Sequence, residues 1–293
     1  MLVIGTRGSD LALTQAHWVR TQLGARGIAA RLEVIKTKGD RIDDVPLAQI
    51  GGKGFFTQEI EDALRSKGID LAVHSLKDLP TESPQGLTLV AIPAREDPRD
   101  CLLIHKRFHD PDAPLWPLQK GTVVGTSAIR RKAQLTARRA DLQLEDLRGN
   151  VPTRVRRLRE GRCGAIVLAR AGLDRLQLDV SDLVVCPLSV ETFVPAPAQG
   201  ALGLQMRCGD GQAQRDVGAL HDTAVARAVN LERALLARLE GGCHVPLGAY
   251  VENRGQTLHL RGFYQNGTLP RWTEVRGSDG DAMVDKAFAA LVG

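Results

Sequence analysis

The chain has 293 residues and a net charge of +5, a length that suits two or three domains. Hydrophobic residues make up 43%, ample for buried cores, and no apolar run approaches the ~18 residues that span a bilayer, so no membrane association is expected. Five scattered cysteines (Cys101, Cys163, Cys186, Cys208, Cys243) argue against a disulfide framework, and no CxxC or Cys/His spacing supports a metal site.

The N-terminal MLVIGTRGSD lacks the basic start, long apolar stretch and small-residue cleavage site of a secretory signal, so a cytoplasmic protein is expected. VIGTRGS (Val3 to Ser9) reads as a strand ending in Gly-Thr, with Arg7 close by and Ser9 placed to cap an amphipathic helix that Gly24 or Gly27 ends. A second strand, Arg31 to Thr37, leads into the polar turn TKGDR. VPLAQIGGKGFF (Val45 to Phe56) has three glycines around Lys53 and reads either as a lid that approaches a ligand closely or as a plain flexible loop. A helix follows from Thr57, acids early and bases late.

IDLAVHSLKDLP (Ile69 to Pro80) is a short apolar strand followed at once by a hydroxyl (Ser75), a cation (Lys77) and a carboxylate (Asp78). Side chains just beyond the carboxyl end of a strand face the ligand crevice in an open α/β sheet. After a strand at Leu87 to Ile92, PAREDPRDCLLI reads as a crossover between domains, and Lys106 to Gly121 as surface material.

VVGTSAIRR (Val123 to Arg131) repeats the Gly-Thr-Ser construction, with Arg130 and Arg131 next to Thr126. Helix N-termini attract anions, so three such junctions predict an anion-binding crevice. From Thr126 to Arg175 there are 13 Lys/Arg against 5 Asp/Glu, twelve of the bases being Arg. That composition suits carboxylate or phosphate recognition, while the absence of aromatic residues there counts against single-stranded nucleic acid. Helix (Ala128 to Arg139), strand (Leu142 to Leu147), basic helix (Val151 to Glu160) and strand (Gly164 to Ala169) alternate, predicting a mostly parallel sheet. Arg148 and Arg154 flank the Gly149-Asn150 turn, whereas Arg156, Arg157 and Arg159 read as a solvated helix face.

PAPAQGALGLQMR (Pro195 to Arg207) ends in a strand able to return to the first domain. A helical region (His221 to Leu239) precedes EGGCHVPLGAY, and the strands HLRGFY and RWTEVRG with a closing helix (Asp279 to Leu291) form a small α+β tail. Cys243, on a Gly-Gly loop beside His244, reads either as a small buried residue or as a nucleophile or attachment point.

TRGSDLAL, TKGD, GGKGFF, DLAVHSLKDLP, EDPRD, GTSAIRR, LRGNVPTR, LARAGLDRL, PAQGALG and LEGGCHVPLG, in this order from residue 6 to about 250, closely resemble the porphobilinogen deaminase (hydroxymethylbilane synthase) family. The resemblance implies an α/β protein of three domains: 1–95 with 200–216, 99–195, and an α+β domain at 217–293. The first two look like type-2 periplasmic binding protein domains. It implies a dipyrromethane cofactor joined to Cys243 by a thioether, porphobilinogen as substrate, and Asp78 as catalytic carboxylate. Four porphobilinogen units would lose ammonia and add to the chain before hydrolysis releases a linear tetrapyrrole.

By motif position the cofactor and substrate carboxylates would meet Arg7, Ser9, Ser75, Lys77, Thr126, Arg130, Arg131, Arg148, Arg154 and Arg175, with Lys53 and Phe56 on the loop over the cleft. Gln49, Asp10 and Ala128 depart from the common lysine, proline and serine, which puts one lid contact and one hydroxyl in doubt but leaves Asp78 and Cys243 in place. A monomer with no nucleic-acid partner is expected. The alternatives are a solute-binding protein without chemistry, which would not need Cys243, and a nucleic-acid binder, motivated by the basic stretch.

Overall fold

The computed structural model describes residues 1–37, 57–239, 245–267 and 269–293. In chain order these form β1 (Leu2–Thr6), α1 (Asp10–Gly24), β2 (Ala30–Val34), α2 (Gln58–Arg65), β3 (Leu71–Ser75), β4 (Leu87–Ala91), β5 (Asp100–His105), β6 (Val123–Gly125), α3 (Ile129–Arg138) and β7 (Gln143–Glu145). There follow α4 (Val151–Arg159), β8 (Ala165–Ala169), α5 (Arg170–Leu176), β9 (Leu183–Pro187), β10 (Leu202–Arg207), α6 (Gly211–Gly218), α7 (Thr223–Arg238), β11 (Leu247–Arg254), β12 (Thr257–Asn266), β13 (Leu269–Gly277) and α8 (Gly280–Val292). Two compact units result, one from Met1–Glu96 and Gly200–Asn230, the other from Asp97–Gln199 and Leu231–Gly293.

The first unit holds a five-stranded sheet in the order β2-β1-β3-β10-β4. β1 runs parallel to β2 and β3, and β10 is inserted antiparallel between β3 and β4, with Leu204 opposite Val73. The returning strand expected from the sequence is therefore present. Because strand side chains alternate, Leu71 and Val73 join α1 residues Ala16, Val19 and Leu23 on one face, while Ala72 joins Ile60 and Leu64 of α2 on the other. Asp70 braces the edge, accepting from the Val3 amide at 2.9 Å and pairing with Arg207 at 2.9 Å.

The second unit repeats the plan as β7-β6-β8-β5-β9, with β6 parallel to β7 and β8 and β5 antiparallel to β8 and β9. In each sheet the strand that follows a chain crossing is the antiparallel one. Leu102, Ile104, Ala165 and Val167 pack with Leu135 of α3, and Cys101, Leu103, Ile166 and Leu168 pack with α4 and α5. The same unit carries the antiparallel meander β11-β12-β13, on which α8 packs. The α/β class with a small α+β part is thus the observed one, and each five-stranded sheet is mostly parallel as expected, four strands running one way and only β10 or β5 running against them.

Several element expectations need correction. The segment PAREDPRDCLLI ends in β5, because its DCLLIH is buried almost throughout and pairs on both sides. α5, β9 and β11 were not expected either. Ser127 does not cap α3: its hydroxyl donates to the Leu147 carbonyl at 3.1 Å, and the cap position is Ala128. Gly125 is favoured by packing, since a Cβ there would lie 3.0 Å from the Leu147 side chain and 3.1 Å from the Cys163 sulfur.

The inserted β10 makes a direct test of the first unit's core. Leu204 is fully buried between two strands, so Leu204→Ala is expected to lower stability by about 2–5 kcal/mol. An unchanged urea midpoint would show that β10 does not hold this sheet together.

Candidate functional site

In the first unit the candidate residues gather at the carboxyl ends of β1 and β3. At the end of β1, Thr6 is fully buried and its hydroxyl donates to the Ala12 carbonyl at 3.1 Å, while beyond it the Ser9 hydroxyl accepts from the Ala12 amide at 3.4 Å. Ser9 therefore caps α1, as expected. Beyond β3 the chain makes a single tight turn, Leu76–Asp78, pinned by the Leu76 amide donating to the Ala201 carbonyl at 3.0 Å. Leu76 is buried beneath it and Asp78 stands exposed at the rim.

These two junctions meet around one pocket of about 100 Å³, lined by Arg7, Ser9, Gln15, His74, Ser75 and Asp78 among others. Asp78 is the one acid among the described residues that line it. Lys77 is half-buried on the same turn. Gln15 was not singled out by the sequence, where it is merely a polar position on the buried face of α1. Its amide nitrogen donates to the Ser75 hydroxyl at 2.9 Å, fixing that hydroxyl at the pocket wall.

His74, Gln205 and Glu61 form a buried polar layer in the same unit. His74 Nε2 is 3.1 Å from Gln205 Oε1, and burial pushes the imidazole down to about 4. Burial likewise raises the Glu61 carboxyl above its ordinary range, despite a bond to Gln205. His74 is thus uncharged at neutral pH, and Arg7 and Asp78 are the formally charged side chains among the described residues lining the pocket.

The second unit carries the opposite arrangement. Thr126, just past β6, is buried, and its hydroxyl accepts from the Ala128 amide at 3.3 Å. Arg130 and Arg131 follow in the first turn of α3, both buried, and both pair with Asp100 at the start of β5 at 2.7 Å. Arg131 uses Nε and Nη2 on Asp100 Oδ1, at 3.0 and 2.7 Å, and Nη1 on the Val167 carbonyl at 2.9 Å. Arg130 also donates to the Val194 carbonyl at 2.7 Å. The two guanidiniums hold the Asp100 carboxyl far below the usual carboxylate range against the cost of burying it.

One carboxylate shared by two guanidiniums leaves a net positive charge in a dry place. Arg154 adds to it. Asn150 caps α4 by accepting from the Thr153 amide at 2.9 Å, and Arg154 Nε donates to the Gly149 carbonyl at 2.7 Å. Desolvation, with Arg131 and Arg157 as its charged neighbours, pushes Arg154 down to about 10. This donor set suits a ligand bearing several carboxylates.

Arg148 and Arg175 are half-buried in the same unit, after β7 and in the last turn of α5. The expected solvated face holds for Arg156 and Arg159, both exposed and paired at the surface with Glu160 at 3.9 Å and Asp182 at 2.7 Å; Arg157 is half-buried and donates to the Arg148 carbonyl at 3.1 Å. Lys53, Phe56, Gln49 and Cys243 lie outside the described residues. Among the described cysteines, burial pushes the thiols of Cys101 and Cys163 up to about 12 and about 11 and raises that of Cys186.

Two α/β sheets with such carboxyl-end sites define an α/β protein that handles an anionic ligand. The porphobilinogen deaminase dipyromethane cofactor binding domain matches residues 2–215, and the porphobilinogen deaminase C-terminal domain matches residues 226–275. The porphobilinogen deaminase of Trichlorobacter lovleyi is 47% identical over 286 residues, covering 96% of this chain and 89% of that one. That of Syntrophotalea carbinolica is 48% identical over 294 residues, covering 99% and 87%. Among solved structures, a periplasmic substrate-binding protein from Coxiella burnetii aligns at 13% identity and a TM-score of 0.43, covering 77% of this chain and 94% of that one. The chain belongs to the porphobilinogen deaminase family. It is accordingly a transferase of tetrapyrrole biosynthesis with a dipyrromethane cofactor.

The buried imidazole has a measurable consequence. His74 stays neutral in the fold down to about pH 4, whereas the unfolded chain protonates it near 6.5. Its contribution is thus complete above about 6.5 and is lost as pH falls toward 4, by up to about 3 kcal/mol. Glu61, with its raised carboxyl, acts with the opposite sign. The difference in urea stability between the parent and His74→Gln should therefore change between pH 7.5 and 5, and a constant difference would mean that His74 is not held neutral.

Proposed function

We propose that the pocket in the first unit binds porphobilinogen and that Asp78 is the catalytic carboxylate of hydroxymethylbilane synthesis. The observation that carries this reading is that Asp78 is the one acid among the described residues lining a pocket whose polar wall includes Arg7, Ser9, Gln15 and Ser75. When bound, the dipyrromethane supplies the pyrrole α-carbon onto which successive substrate units are condensed. Loss of ammonia from porphobilinogen leaves positive charge on the pyrrole ring. A carboxylate set at the ring N–H stabilises that charge, and Asp78 can also accept the proton released at the condensing carbon.

Arg7, Ser9, Ser75 and Lys77 would hold the acetate and propionate of the incoming unit. Thr126, Arg130, Arg131, Arg148, Arg154 and Arg175 would hold those of the growing chain, with Lys53 and Phe56 contributing from the glycine-rich segment. Arg is the suitable residue, because its planar fork takes a carboxylate by two bonds. Cys243 would carry the cofactor as a thioether. Burial disfavours the thiolate at Cys101, Cys163 and Cys186, which makes those three poor nucleophiles. We assign the three-domain division given above, a monomeric state, a cytoplasmic location and no nucleic-acid partner to the same reading.

Two variants test it. Asp78→Ala is expected to lose about a hundredfold or more in turnover while keeping its thermal midpoint; activity within tenfold of the parent, marked as about 1.4 kcal/mol of barrier, would defeat the assignment. Intact-protein mass spectrometry tests the anchor. The parent incubated with porphobilinogen should gain a dipyrromethane increment that Cys243→Ser lacks and that Cys208→Ser retains. A loaded Cys243→Ser chain would refute it.

A further inference from the structure

The second unit contains a buried carboxylate that the reaction as described does not use. Glu232, on α7, is fully buried. Its Oε2 accepts from the Ala198 amide at 2.7 Å and its Oε1 from the Val251 amide of β11 at 2.9 Å. Ala198 has a φ of +61°, a left-handed conformation that costs energy for a residue with a Cβ and persists only where its surroundings hold it. The Glu232 bond is one such restraint. The turn it holds delivers Gln199, also buried, whose amide nitrogen donates to the Pro98 carbonyl at 2.8 Å and to Asp100 Oδ1 at 3.1 Å.

Asp100 Oδ1 is the oxygen that takes Nε and Nη2 of Arg131. A continuous chain of polar contacts therefore runs from α7 through Glu232, Ala198, Gln199 and Asp100 to the two guanidiniums. Its effect is orientational. A carboxylate can swing about its own bond, and a guanidinium fork that follows it re-aims every N–H it still offers. Arg131 has three of its N–H groups committed to Asp100 and the Val167 carbonyl, and a guanidinium has five. The remaining two point where the first three put them. Gln199 supplies a further donor on Oδ1 and so opposes rotation of the carboxylate.

We propose that Gln199 and Glu232 are positioning residues: through Asp100 they hold the Arg130–Arg131 pair in the orientation that receives a carboxylate of the pyrrole chain. This rests on the function proposed above. Both act through other side chains, and neither is placed against the substrate.

The full-length chain tests the proposal with Gln199→Met, which keeps shape but has no donor, and Glu232→Gln, which turns one acceptor into a donor facing an N–H. Three quantities are measured: the rate at which the unloaded chain gains the dipyrromethane increment from porphobilinogen, followed by intact mass; turnover per loaded molecule; and the thermal midpoint. Misplaced binding groups slow a reaction by up to about a hundredfold. Gln199→Met is expected to load, and to turn over per loaded molecule, about tenfold or more slowly, with one early elongation mass accumulating and the midpoint little changed. Glu232→Gln is expected to act in the same direction. A purely structural role would reduce the number of folded, loaded molecules but leave turnover per loaded molecule at the parent value, and that result overturns the proposal. So does failure of both variants to fold. A parent chain that never gains pyrrole mass overturns the functional reading instead, which keeps the two failures distinguishable.

Discussion

The second unit depends on one buried ion cluster, Asp100 between Arg130 and Arg131. Removing three charges from water costs several kcal/mol for each ion, and geometry must repay it. Here the repayment is almost complete for the carboxylate, which receives both guanidiniums at 2.7 Å and the Gln199 amide at 3.1 Å. It is incomplete for the cations, since two positive groups share one negative one. Among the described residues the cluster is therefore short of one anion. A ligand carboxylate would supply it, and the nearby Arg154 raises the demand further.

Local helix rules are broken at the same place. α1, α4 and α8 each start with a side-chain cap, from Ser9, Asn150 and Asp279. α3 has Ala128 at its cap position, no acid in its first turn and two arginines there, where the helix dipole disfavours positive charge. A bound anion is favoured by that dipole end as well as by the guanidiniums. Sites that violate local preferences in this way are where function is expected to override stability. In the first unit the choice is reversed: Ser9 caps its helix, His74 is neutral, and a lone carboxylate faces the pocket. Among the described residues, one site gathers guanidiniums and the other presents a carboxylate.

Much of this is readable from the chain because short motifs fall at strand ends. Asp78, Ser75, Arg7 and Ser9 lie within a few residues of strands whose apolar runs are unmistakable, so placing the strands places the site. What escaped was long-range. Gln15 reads as one more polar position until the Ser75 hydroxyl is found 2.9 Å from its amide. Ser127 has the sequence context of a cap, yet the Leu147 carbonyl takes its hydroxyl, a partner twenty positions away. Asp100 is hidden in a run of prolines and charges that looks like a linker, because only the folded sheet brings α3 over the start of β5.

The two sheets share a strand order, and that repetition explains why the site residues recur at equivalent positions. β1 ends in Gly5-Thr6 and β6 ends at Gly125 just before Thr126, and a helix, α1 or α3, follows within a few residues. At Gly125 the glycine is favoured by the core, since Leu147 and the Cys163 sulfur would crowd a Cβ. The Thr that follows is set by the backbone turn: Thr6 bonds forward to the Ala12 carbonyl, and Thr126 accepts from the Ala128 amide. The repeated motif is thus first a way to end a strand in a packed sheet, and the chemistry is written in the residues immediately after it. A plan of this kind tolerates different chemistry in its two copies. The packing that fixes the strand end does not depend on whether an arginine pair or a lone aspartate follows.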